Sequence, residues 1–145
     1  MKKLILLLTI IALSFSCSSD SNSNNTSSNA YSGSYKGTVI DTINGSYWST
    51  IYNYTIIIVP TNTNGQVSLT NNLILTNSAT ISGTTFTIPQ TIAAQTATSQ
   101  VVEWATGSFG GPNNNTLTVD FYQNNTNLTN GSVVSAVRSC ILTKQ

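Results

Sequence analysis

The chain contains no histidine. A Ser-His-Asp or Cys-His nucleophile needs an imidazole base, so both arrangements are excluded, and His-ligated zinc sites with them. Charge is nearly as scarce, with five Lys or Arg and four Asp or Glu among 145 residues. No basic run is available to neutralise phosphates, which argues against a nucleic-acid partner. No acidic loop clusters the oxygens that a calcium ion requires. A Ser-Lys dyad would fall to Lys36 or Lys144, and nothing in the sequence marks either one. Asp41, Glu103 and Asp120 lie far apart in sequence, so none marks a glycosidase pair; each reads as a solvated residue or as a partner for Arg138. The expectation is a protein that is not an enzyme and carries no cofactor or metal.

No apolar run approaches the roughly 20 residues needed to span a bilayer. The longest, Leu4 to Leu13, follows Lys2 and Lys3 and precedes Ser14-Phe15-Ser16-Cys17. A basic start, a short apolar stretch and a small residue before a site are the proportions of a signal peptide, here residues 1–16. The small residue abutting Cys17 makes the segment resemble the signal of a bacterial lipoprotein, in which the cysteine is acylated and the chain is cut before it. Ser14 and Ser16 depart from the usual Leu and Gly or Ala of that box, and Ser14-Phe15-Ser16 also fits the rule of the ordinary signal peptidase, which would free the chain. Several acyl chains anchor a protein stably where one does so only marginally. Ser18, rather than Asp, follows the cysteine, which favours the outer membrane. The membrane, reached through the lipid on Cys17, is thus one expected partner.

Residues 17–32 hold this cysteine and a Ser/Asn-rich stretch with little to bury; such a stretch cannot offset its ordering entropy and reads as a disordered tether. About 15 flexible residues reach roughly 20 Å. The remainder, 33–145, has the size of one domain. Without the first 16 residues, three bases face four acids. With Cys17 acylated, Cys140 has no intramolecular partner, and its late apolar strand predicts a buried, inert thiol.

Within 33–145, β-branched and aromatic runs alternate with turn dipeptides. The runs are 35–43, 47–59, 66–70, 73–75, 79–82, 84–88, 101–109, 116–122 and 133–142. Asn44-Gly45 is the strongest short hairpin signal. Pro60 and Pro89 are read as strand ends. Residues 92–101 are ambiguous, because Ala93, Ala94 and Ala97 suit a short helix while the neighbouring threonines do not. Period-two alternation predicts one face carrying Trp48, Tyr52, Tyr54, Ile56 and Ile58, and another carrying Leu117, Val119 and Phe121. Sequential hairpins of this kind predict an all-β antiparallel up-and-down meander of about eight strands, closed into a barrel or a small sandwich.

Gly33-Ser34-Tyr35-Lys36-Gly37, the stretch from Ala79 to Pro89, Asn115-Thr116-Leu117-Thr118 and the closing Leu142-Thr143-Lys144-Gln145 together resemble small bacterial lipoproteins with lipocalin-like domains. The resemblance implies an up-and-down barrel and no particular ligand. Lipocalins open on Gly-x-Trp, with the indole capped by an arginine of the last strand. Here it implies that Tyr35 and Arg138 take those parts and close the barrel together.

Two functional readings remain open. In one, Trp48, Tyr52, Tyr54 and Trp104 are candidate ligand-binding residues, lining a cavity for a small apolar molecule or stacking on a glycan. In the other, the same side chains fill the core of a structural or assembly component of the cell envelope.

Overall fold

The computed structural model describes residues 28–71 and 77–145. Cys17, the signal segment and most of the expected tether lie outside the described residues, as does the expected strand at 73–75. Eight antiparallel strands follow one another in order: β1 Gly33–Ile43, β2 Ser46–Pro60, β3 Gln66–Asn71, β4 Asn77–Ser82, β5 Thr85–Gln95, β6 Ser99–Gly110, β7 Thr116–Asn127 and β8 Val133–Lys144. Each pairs with the next, and β1 pairs with β8, so the sheet closes on itself. This is the up-and-down barrel that the hairpin pattern predicts, and closure pairs the first and last strands, whose edges an open sheet would leave exposed.

Local chemistry sets the turns. Asn44 and Gly45 both take positive φ, 49° and 78°, the conformation that a two-residue type I′ loop demands. Asn44 also ties this hairpin to β8: its N–H donates to the Ser135 carbonyl, and its side-chain oxygen accepts from the Ser135 N–H. The ambiguous segment 92–101 is strand, split between β5 and β6 by a short loop. Pro89 does not end β5. It lies in a register shift between Ile88 and Thr91, beyond the last β4 partner at Thr87. A proline lacks the donor for a ladder but is tolerated at a bulge or an unpaired edge.

The barrel is filled at one end. Tyr31, Tyr35, Phe86, Phe109, Leu117 and Leu142 are buried there with Ile56, Ile58 and Leu69. Phe109 stacks on Tyr31 at 4.2 Å between centroids and lies 5.4 Å from Phe86. Gly107 makes room for this cluster, since a Cβ at that position would meet the Phe86 ring. Residues 28–31, which the sequence assigns to the tether, form a 3-10 turn ahead of the domain boundary expected at residue 33. This turn plugs this end, because Tyr31 is an aromatic with a place to be buried and its hydroxyl donates to the Gly83 carbonyl.

Candidate functional site

The other end is open. β3 and β4 have six residues each, against 11–15 for the other strands. β3 meets β2 only from Ile56 to Pro60, and β4 meets β5 only from Thr85 to Thr87. Among the described residues, no strand lies beside Ser46–Thr55 of β2 on its far side. A cavity of about 330 Å³ lies between β1, β6, β7 and β8, with Trp48 at its mouth.

Strand alternation supplies the side chains. Ala105 and Phe109 are buried on the inner face of β6, which puts Glu103 on the same face. Phe121 of β7 and Cys140 of β8 do the same for Gln123 and Arg138. Val39 of β1 does so for Asp41 and Ile43. The inner face is therefore apolar deep in the barrel and polar toward the mouth.

Asp41 and Arg138 are directly opposed on the β1–β8 ladder. Arg138 Nε donates to Asp41 Oδ1 at 2.7 Å and its terminal nitrogen reaches Oδ2 at 3.5 Å. Ser49 Oγ also donates to Oδ2, at 3.3 Å. Across the cavity, Gln123 Nε2 donates to Glu103 Oε1 at 2.6 Å. Below the ion pair, Tyr54 is buried, and its hydroxyl has no hydrogen-bond partner among the described residues. Burial holds the pKa of its phenol well above the usual value, with Cys140, Arg138 and Asp41 as the charged or polar groups it senses. Cys140 is buried and free. Desolvation pushes its thiol up to about 12, a shift that Arg138 opposes, so the thiolate nucleophile is suppressed.

The structure separates residues that the sequence pattern groups. Trp48, Tyr52 and Tyr54 do not share a face. Two register shifts intervene in β2, one opposite Val39 and one opposite Thr42, and Asn53 sits at φ 58°. Each bulge adds a residue and reverses the alternation. Tyr54 thus enters the core, Tyr52 is 73% exposed, and Trp48, 69% exposed, is aimed at the cavity mouth. Trp104 is among the residues that line the cavity, on the β6 face that alternates with the buried Ala105. There it stacks on the ring of its ladder partner Tyr122, 5.2 Å between centroids and 8° from parallel.

Tyr35 and Arg138 both lie on the β1–β8 seam, as closure by the first and last strands requires, yet they do not meet. Tyr35 is opposite Lys144 and Arg138 opposite Asp41. Six residues of strand, roughly 20 Å, separate the two pairs. The cation that covers the Tyr35 ring is Lys144, with Nζ 5.7 Å from the centroid. The Tyr35 hydroxyl reaches the carbonyls of Tyr31 and Asn114.

Glu103 and Gln123 were not singled out by the sequence as site residues. The signal was a period-two one: each extends an apolar inner face by one more step toward a strand end. Among the described residues, no three potential metal ligands cluster. Comparison of the chain with protein-family models, with curated proteins and with solved structures finds no match.

Proposed function

We propose that this protein is a non-catalytic, envelope-anchored lipoprotein whose lipocalin-like barrel binds a small, largely apolar molecule at its open end. The supporting observation is the contrast within one barrel: side chains fill one end, while the other keeps a cavity of about 330 Å³ bounded by apolar residues and a few placed polar groups. That volume falls at the lower end of the range for small-molecule sites, and the mixed lining is typical of them. A glycan remains the second ligand class, favoured by the exposed Tyr47 and Trp48 at the rim.

The anchor reading rests on the segment ending at Cys17. The chain enters the barrel through the 3-10 turn at the filled end. A lipid on Cys17 would therefore tether the barrel from that end. Fractionation of cells carrying the wild type and Cys17→Ala tests the anchor; a wild type already soluble with a free N-terminal cysteine would refute it. Native mass spectrometry of protein taken from its own cells, with a glycan array beside it, tests the binding function. A bound mass or an array signal is expected. A clean unliganded mass with a silent array would put the structural role in the envelope ahead.

A further inference from the structure

Charge in the cavity is not balanced. Its inward-facing ionisable groups are Asp41, Glu103 and Arg138. Arg138 is engaged by Asp41 through two hydrogen bonds, so this pair presents little net charge to a ligand. Glu103 accepts from the neutral Gln123 amide, and the ion pair found among the described residues does not include it. The domain's other two cations lie toward the filled end, where Lys144 is opposite Tyr35 and Lys36 opposite Thr143. One carboxylate is thus left facing the cavity without a cation.

The surroundings of that carboxylate narrow the ligand. Trp48 and Phe121 contribute aromatic faces to the same cavity. An ammonium is attracted to the negative face of an aromatic ring and to a partly desolvated carboxylate. An organic anion would meet the opposite situation, a guanidinium already paired and an uncompensated negative charge. Like-charge placement of this kind rejects the wrong ligand as effectively as a good contact selects the right one. The volume admits one compact molecule.

We propose that the open-end cavity takes a small organic ammonium with an apolar or aromatic body, its charged head held by Glu103 and its body against Trp48 and Phe121. This rests on the reading of the open end as a binding site. Glu103 is the specificity-determining residue, and the Asp41–Arg138 pair is a fixed part of the wall.

The chain carries two tryptophans, Trp48 at the mouth and Trp104 in the cavity wall, and the indole N–H resonance of Trp48 gives the probe. The full chain is titrated with 2-phenylethylammonium, 2-phenylethanol and phenylacetate. The ammonium is expected to bind at least tenfold more tightly than the other two, shifting the Trp48 resonance. Glu103→Gln should bring the ammonium down to the affinity of the alcohol, with an unchanged thermal midpoint confirming its fold. Asp120→Asn, on the outer face, should keep the preference. An alcohol or phenylacetate that binds as tightly as the ammonium overturns the inference but leaves the cavity reading intact, as does a preference that survives Glu103→Gln. Failure of all three probes to move Trp48 overturns both.

Discussion

The two ends of the barrel are built from the same strands and do different things. At the filled end the inner face is Tyr, Phe, Leu and Ile, the rings touch, and a turn from outside the barrel closes the opening. At the open end the same strands turn to Asp41, Glu103, Gln123 and Arg138 around a cavity. An eight-stranded barrel has just enough interior for its own side chains or for one small ligand. This one fills one end with its own side chains and keeps a cavity at the other. On the proposed reading, stability and recognition separate along one axis, and substitutions should sort by their position on it.

The largest effect is expected at the filled end. Phe109→Ala removes a ring that touches Tyr31 and Phe86 and should lower the unfolding free energy by about 3–5 kcal/mol. Trp48→Ala at the mouth should stay within about 0.5 kcal/mol. Urea denaturation of the two variants compares the ends directly, and equal losses would break the distinction.

Arg138→Ala probes the boundary between the ends. It strands Asp41, whose side chain is 15% exposed beside an arginine at 30%. Partial solvation reduces the penalty from that of a fully buried pair, so a loss of about 1–3 kcal/mol is expected. An unchanged midpoint would mean that the pair contributes nothing to holding the seam.

Alkaline pH sharpens the same boundary. The Cys140 thiol is raised to about 12 from an ordinary value of 9.0, so between those values the unfolded chain loses a proton that the folded one keeps. Stability is therefore full below pH 9 and falls as pH rises toward 12, by up to about 1.4 kcal/mol per pH unit. Cys140→Ala should flatten that slope between pH 9 and 10. A slope identical in the two proteins would show that the thiol is not desolvated.

The smallest effect is expected at Tyr54. Its hydroxyl is buried without a partner, so Tyr54→Phe should raise stability by about 1 kcal/mol. A destabilised variant would reveal a hydrogen bond to that oxygen.

Much of the architecture was legible in the sequence because turns and alternation are local. Asn44-Gly45 gave the first hairpin, and Leu117, Val119 and Phe121 gave an inner face that the structure keeps. The β2 face was misread because a bulge leaves no mark in a period-two count: Tyr52 and Tyr54 look equivalent until Asn53 takes a positive φ. Pro89 misled for a related reason, since a proline ends a strand only where its missing donor is needed. Tyr35 and Arg138 were paired by analogy with a motif, while the register that puts Lys144 opposite Tyr35 is a long-range property no single segment encodes. The site itself was half legible. Its aromatic inventory was visible, but the polar end of the inner face emerged only once the ladder register brought Asp41 opposite Arg138 and Glu103 opposite Gln123.

The most direct test of the division is amide chemical-shift mapping of the full chain with 2-phenylethylammonium. The account expects shifts at Thr42, Ile43, Glu103, Gln123 and Ala136, with Tyr31, Phe109 and Leu117 unmoved. Shifts centred on the filled end, or none at either end, would contradict it.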